Sequence, residues 1–331
     1  MMRAMGRLVG RLLLGLAVAV AGLWWFGPYE PVDLKAGFDP RKFGEGVQVY
    51  FESVESQFDD IIPGVEKRVI WRDGFKERRT PVSVLYIHGF SATSEEIRPV
   101  PDRIADTLGA NLVYTRLSGH GRGGAAMAAP VANDWIRDMA EGLAAARAVG
   151  DRVVVIASST GGTLAAVAAL DPELSRDIAA LVLISPAFAI NETAAFAPTW
   201  PAARWWLPLV LGPDQDFEPV SEDHRRYWTT SYPTVALLPK AALVKAVAGL
   251  DFERAKVPAL FRISDDDQVV RPEITRRIAG RWGGPAVLQL VTMGPGDDAS
   301  AHVIAGDIRS PGQTEAAVAD ILAWLQGQGV E

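Results

Sequence analysis

The sequence predicts an α/β fold: a doubly wound, mostly parallel sheet with an inserted helical cap and an apolar helix at its N-terminus. Three observations carry that expectation. Strand-like apolar runs alternate with helix-like segments from Val82 to Ile184, as parallel strands with crossover helices require. The alternation pauses between about Ala187 and Asp251, a stretch that holds Trp200, Trp205, Trp206, Trp228 and several prolines, and resumes at Val257. Ahead of it all, Arg3, Arg7 and Arg11 precede an apolar run from Leu12 to Phe26 that closes with Trp24-Trp25-Phe26 and Gly27-Pro28.

Length and composition bound the rest. A chain of 331 residues that is 49% hydrophobic can bury a full core. The net charge of −7, with no long basic run, argues against a nucleic-acid partner. With no cysteine there is neither a disulfide nor a thiolate metal site. The 4 histidines are His88, His120, His224 and His302. No two of them stand at ligand spacing, so no metal is expected.

In chain order, a basic flank, apolar centre and aromatic end describe a segment handled by the export machinery, either cleaved or kept. Ala19-Val20-Ala21 offers a cleavage site, but Leu23-Trp24-Trp25-Phe26 reads as an interfacial belt rather than a mature N-terminus. From Leu8 onward the run is long enough to span a bilayer, with Arg11 snorkelling. The expectation is an uncleaved single-pass anchor over residues 1–27, its Arg-rich end inside and the remainder on the extracytoplasmic, periplasmic side. Residues 28–64 form a tether and a surface helix, the latter from Phe43 to Ile62 and ended by Pro63-Gly64.

The core is expected to comprise 65–186 and 252–331, with the cap at 187–251. Val65 to Trp71 alternates as a strand, Asp73-Gly74 turns, and Val82 to Ile87 is a buried strand running into His88-Gly89-Phe90-Ser91-Ala92. A helix over Pro99–Leu108 and a strand over Asn111–Arg116 lead to Ser118-Gly119-His120-Gly121. Gly119, Gly121 and Gly124 match G-x-G-x-x-G, but Pro130 interrupts the place of the phosphate-binding helix, so no dinucleotide cofactor is expected. Asn133–Ala148 is a helix and Val153–Ala157 a strand; Ala179–Ile184 and Val257–Ile263 are further strands. The cap shows no clear strand. Pro272–Trp282 is a helix, Ala286–Val291 the last strand, and the loop from Met293 to Ala301 delivers His302 before an amphipathic helix over Thr314–Leu325.

The chemistry centres on Ala157-Ser158-Ser159-Thr160-Gly161, the small turn between the β-branched run from Val153 to Ile156 and an Ala-rich helix. Against G-x-S-x-G it puts Ser159 at the tip of a strand-to-helix turn, with Ala in the first glycine's place. Ser158 cannot take that role, because the residue two beyond it is Thr160. Such a turn holds a hydroxyl at the positive end of the helix, beside a backbone N–H that can receive a developing oxyanion. A bare Ser-rich corner would look the same, and a phosphate cradle lacks its lysine. What decides is the company Ser159 keeps: the Asp265–Asp267 cluster and His302 follow it in the order nucleophile, acid, base, each just after an expected strand.

On Tyr86-Ile87-His88-Gly89-Phe90, Ser118-Gly119-His120-Gly121, Ala157 to Gly162, Asp267-Gln268-Val269-Val270 and His302, the chain resembles the α/β-hydrolase superfamily over roughly 65–330. Within it, the chain looks most like bacterial carboxylesterases and the monoacylglycerol-lipase and lysophospholipase-like group. That resemblance implies Ser159 as nucleophile, His302 as general base and Asp267, two residues before Val269-Val270, as the acid that orients it. Asp265 and Asp266 are then turn or capping residues. It implies oxyanion donors at the backbone N–H groups of Phe90 and Thr160, and a scaffold role for His88.

His120 reads as structural, His224 as a solvated cap residue, and Glu95-Glu96 as helix-capping residues near the entrance. Trp205 and Trp206 are candidates for substrate binding, as an acyl-chain pocket or a membrane-facing lip; equally, they pack the cap onto the core. The expected function is a membrane-anchored serine hydrolase cleaving carboxylic, acyl or lipid-like esters, with no cofactor. The same apparatus also serves thioesters, amides, lactones and peptides. A non-catalytic binding module on the membrane is the rival from another class, and a dinucleotide-binding enzyme a distant third; Ser159 excludes a dehalogenase-type carboxylate nucleophile.

Overall fold

The computed structural model describes residues 2–192 and 195–330. Residues 1, 193, 194 and 331, which fall within the expected anchor, cap and core ranges, lie outside the described residues.

Helix α1 (Met2–Phe26) leads through a 3₁₀ turn at Pro40–Phe43 to α2 (Val47–Glu55). The helix expected over 43–62 is therefore shorter, and it is not confined to the surface. Val47, Phe51 and Glu55, at i, i+4 and i+8, face inward. Glu55 explains why a charge can do so: its carboxylate takes the Arg116 guanidinium at 2.7 and 2.8 Å, and Arg116 also donates to the His120 carbonyl at 3.0 Å. The N-terminal segment is thus fastened to a loop at the sheet's working end.

The sheet begins with β1 (Arg68–Ile70) and β2 (Thr80–Ile87), then α3 (Val100–Thr107), β3 (Asn111–Tyr114), α4 (Ala132–Val149), β4 (Gly150–Ser158), α5 (Ser159–Leu170) and β5 (Ile178–Ile184). β1 is shorter than the expected 65–71 run because it is an edge strand. Among the described residues its only neighbour is β3, which runs antiparallel to it and ends opposite Arg68 at Tyr114.

After β5 the chain leaves the sheet for α6 (Ala203–Leu211), β6 (Asp214–Asp216), α7 (Glu222–Tyr227), β7 (Ser231–Pro233) and α8 (Leu237–Val247). The small antiparallel β6–β7 pair corrects the expectation of no strand there. Asp, Gln and Pro in such short strands carry no apolar alternation to read. The sheet resumes with β8 (Ala259–Ile263), α9 (Pro272–Ala279) and β9 (Ala286–Leu290), and α10 (Thr314–Gly327) packs last.

The 7-stranded sheet has the order β1-β3-β2-β4-β5-β8-β9, parallel everywhere except β1. Its two faces are covered by different helices, which is why the central strands read as continuous apolar runs. Leu85, Ile87, Val153, Val155, Leu181 and Leu183 pack with α4 and α5. Their neighbours Val84, Tyr86, Val154, Ile156, Val182 and Ile184 pack oppositely with Ile104 of α3 and Ile321 of α10. The strands' C-terminal ends gather the loops after β2, β4, β8 and β9, the place where open α/β sheets bind ligands.

Candidate active site

Ser159 sits at the first residue of α5, directly after β4, with φ of +48°. A left-handed backbone is costly for a residue with a Cβ and is held here by its surroundings. The Ser159 carbonyl accepts the Ala187 N–H at 3.0 Å, and α5 lies so close to β2 that a Cβ on Gly161 would overlap the Ile87 carbonyl oxygen. Only glycine fits there. The methyl of Ala157, in the first position of the motif, is accommodated fully buried inside β4.

His302 reaches Ser159 from the loop after β9. Its Nε2 lies 3.0 Å from Ser159 Oγ, and its Nδ1 lies 2.8 Å from Asp267 Oδ2. Because a carboxylate only accepts, Nδ1 carries the proton and Nε2 is left to accept from the serine. Asp267, in the loop after β8, is itself fixed: Oδ1 accepts the Val269 and Val270 N–H groups at 2.8 and 2.9 Å. Asp265 points elsewhere and pairs with Arg276 on α9. Asp266 donates its N–H to Ser264 Oγ at 3.3 Å.

Two further carboxylates shape the site, and the sequence reading missed the role of both. Asp298 accepts the N–H groups of His302 and Val303 at 3.2 and 2.9 Å and the Ser300 hydroxyl at 2.7 Å, and it pairs with Arg309. Burial opposes ionisation of Asp298, but those hydrogen bonds and Arg309 outweigh it and hold the carboxyl below its ordinary value. The signal available was an Asp four residues before the histidine, the spacing of a side chain that caps its own turn.

Glu96 is the second. It is 2% exposed rather than a surface cap, because β2 and the following loop fold around it. Its Oε2 accepts the Gly89 N–H and the Tyr86 hydroxyl, both at 2.7 Å. Burial raises its pKa. No pattern in the sequence distinguishes it from Glu95, which is partly buried and pairs with Arg98 and Arg68.

Glu96 thereby anchors the residue before Phe90. Among the described residues neither the Phe90 nor the Thr160 backbone N–H donates to another backbone group, and Thr160 stands in the first turn of α5, where N–H groups have no intrahelical partner. His88 holds the same loop from the other side, its Nε2 accepting the Leu117 N–H at 3.0 Å. His120 packs against Phe90 and Trp135. Burial keeps His88 neutral and depresses His120 to about 4.

Ser159 and His302 open into a cleft of about 630 Å³ whose walls include Phe90, Tyr232, Lys240 and His224. His224 is 3% exposed, not solvated; its Nδ1 accepts the Val220 N–H at 3.1 Å, and desolvation followed by nearby Arg309 brings it to about 4. The Lys240 ammonium lies 5.0 Å from the Phe90 ring centroid, and desolvation lowers its pKa.

Trp205 and Trp206 do not line this cleft, which corrects their reading as an acyl pocket. Trp205 is 69% exposed on the outer face of α6. Trp206 packs beside Ala203, Leu207 and Leu238, with its indole N–H donated to the Pro201 carbonyl at 3.0 Å. The helical turn of 100° per residue sends these neighbours in different directions, and neither direction is inward to Ser159.

Comparison with known proteins bears on the family and the fold. The family model described as serine aminopeptidase, S33, matches residues 79–291. A thermostable monoacylglycerol lipase from Bacillus sp. strain H-257 is 32% identical over 198 residues, which cover 60% of this chain and 75% of the relative. A solved structure from a description of LipS and LipT, two metagenome-derived lipolytic enzymes, superposes with a TM-score of 0.63 at 21% identity, covering 81% of this chain and 99% of the other. A soluble variant of monoglyceride lipase from Saccharomyces cerevisiae gives 0.55 at 14% identity, covering 82% and 97%. The two structural likenesses speak for the fold. With the family match spanning most of the sheet and the lipase relative agreeing, the chain belongs to the serine aminopeptidase S33 family of α/β-hydrolases and is a serine hydrolase of the lipase–esterase type.

Proposed function

We propose that the chain is a membrane-anchored hydrolase of lipid-like carboxylic esters, of the monoacylglycerol kind, working through an acyl-enzyme on Ser159. The observation that carries this reading is the continuous line from Asp267 through His302 to Ser159, at 2.8 and 3.0 Å. In this reading Ser159 Oγ attacks the acyl carbonyl as His302 Nε2 takes its proton. Asp267 keeps the imidazole in the Nδ1–H tautomer and stabilises its charged form.

The oxyanion accepts from the Phe90 and Thr160 N–H groups, each such donor lowering the barrier by about 3 kcal/mol. His302 then protonates the departing alcohol. Water then attacks the acyl carbon as His302 takes one of its protons, and the acid is released as the bond to Ser159 Oγ breaks and His302 returns that proton to the serine. The lipid-like substrate is supported by the monoacylglycerol-lipase relative. An oxygen-rich alcohol such as glycerol suits the Lys240 ammonium in the cleft wall.

The anchor reading rests on α1, whose stretch Met5–Phe26 is 22 residues long, apolar and unburied. That length spans about 30 Å of hydrocarbon. Arg7 and Arg11 favour an N-terminus inside and the hydrolase domain outside. A signal sequence has the same look, and the mass of the N-terminal peptide from purified membranes separates the two.

The catalytic reading is tested by fluorophosphonate labelling of the full chain in detergent, with turnover of monoacylglycerols and of p-nitrophenyl esters from acetate to palmitate. Labelling lost in Ser159→Ala, and turnover lost in both Ser159→Ala and His302→Ala, is the expected result. A folded wild-type chain that neither labels nor turns over any ester would move the reading to a binding module.

A further inference from the structure

α6 presents an outer face that the fold leaves uncovered. Leu209 is 86% exposed and Val210 70%, beside the exposed ring of Trp205 and the exposed side chain of Leu211. Phe196 and Trp200, just before the helix, are exposed as well. Soluble chains rarely gather so many large apolar groups in one place. From Pro201 to Gly212 the single ionisable residue is Arg204, and its guanidinium is taken by Glu30 at 2.9 Å. The inner face of α6 is already committed, with Ala203 and Leu207 packed on Leu238 of α8.

This face continues the end of α1. The Trp24 ring meets Trp200 edge-on, with centroids 6.0 Å apart, and Trp200 in turn meets Phe196 at 5.5 Å and Trp206 at 6.1 Å. The chain leaving α1 is tied to the α6 segment by two contacts and to α8 by a third. Pro28 gives its carbonyl to the Ala202 N–H at 2.7 Å, Glu30 pairs with Arg204, and Tyr29 lies under the Lys245 ammonium of α8 at 5.9 Å. A tether fixed in this way has no slack between the end of α1 and the start of α6.

We infer that α6, with Phe196 and Trp200, lies in the headgroup–acyl boundary of the same bilayer that α1 spans, so that anchor and helix together hold the hydrolase domain at one angle to the lipid surface. The inference rests on the reading of α1 as an uncleaved span. Its occupant is the bilayer, because the uncharged face is continuous with the aromatic end of a helix long enough to cross one. Aromatic and aliphatic residues on one face of a helix lying flat are the composition that partitions to that boundary.

The absence of cysteine makes the test direct. Full-length chains carrying Leu209→Cys, Val210→Cys, Leu14→Cys or Arg277→Cys are labelled with nitrobenzoxadiazole and reconstituted into phosphatidylcholine–phosphatidylglycerol vesicles. Expected is iodide quenching at 14, 209 and 210 reduced about fivefold relative to position 277 on α9, with strong quenching of the same three by doxyl-labelled lipid. A shielded label at 14 with labels at 209 and 210 as quenchable as 277 would overturn the inference while leaving the anchor standing. Shielding at 209 and 210 without quenching by doxyl lipid would identify a second protein copy as the occupant, and overturn it too. An iodide-accessible label at 14 would instead remove the anchor reading itself, and this inference with it. As a second readout, Leu209→Glu with Val210→Glu should slow turnover of vesicle-borne monoacylglycerol about tenfold and leave p-nitrophenyl acetate turnover unchanged.

Discussion

Asp267 divides its two oxygens between tasks: Oδ2 takes the His302 Nδ1–H at 2.8 Å, while Oδ1 takes the N–H groups of Val269 and Val270. The second pair of bonds aims the first. Asp267→Asn offers His302 an amide that can donate as well as accept, and so favours the wrong tautomer. We expect kcat to fall about 10⁴-fold with the fold retained. Asp265→Asn loses an exposed pair with Arg276, worth about 0–1 kcal/mol, and should leave kcat within about twofold of wild type. Steady-state kinetics of the two variants, with circular dichroism as the check on folding, decide which aspartate orients the base; equal losses would refute the assignment to Asp267.

What could be read in advance followed from how local each signal is. The alternation of β-branched runs and helical segments is a property of neighbours in sequence, so the parallel sheet was legible from Val82 to Ile184 and again from Val257. Ser159 was legible because Gly161 must lie against Ile87, and the need for glycine at that corner is written in the motif. Glu96 was not, since its partners Gly89 and Tyr86 reach it only when the loop after β2 folds back. The place of Trp205, open in the sequence between an acyl pocket, a membrane-facing lip and cap packing, was not legible for the opposite reason. An exposed tryptophan violates the ordinary pattern of burial, and the pattern has nothing to say about which outside it faces.

Glu96 supplies a second prediction. Removing its carboxylate in Glu96→Ala leaves the Gly89 N–H and the Tyr86 hydroxyl buried without acceptors, at about 1–3 kcal/mol each. It also frees the residue before Phe90, whose N–H is the proposed oxyanion donor. Urea denaturation should show the loss of stability, and kcat should fall more than 10-fold with KM changed by less than about threefold, since the missing interaction belongs to the transition state. Glu96→Gln keeps an oxygen for Gly89 and should recover most of both. A variant that loses stability but keeps kcat would make Glu96 a packing residue only.

The third prediction concerns acid. Asp298 is held below its ordinary value in the folded chain because, against the cost of burial, the Val303 N–H, the Ser300 hydroxyl and Arg309 all favour its charged form. When the folded pKa is depressed, the unfolded chain binds the proton first, so stability rises with pH in that range. The contribution of Asp298 is therefore complete above the unfolded value of about 3.8 and is lost as pH falls through the lower folded value. Protonation also removes an acceptor from the His302 N–H, so the loop that presents the imidazole should loosen in the same window. Thermal unfolding followed from about pH 7 down to about pH 3 should show a flatter acid limb in Asp298→Asn than in wild type, and a lower Tm at neutral pH, where the charged hydrogen bonds are missing. Parallel acid limbs in the two proteins would mean that other carboxylates carry the acid sensitivity, and that the turn before His302 is held by its backbone and Ser310 instead.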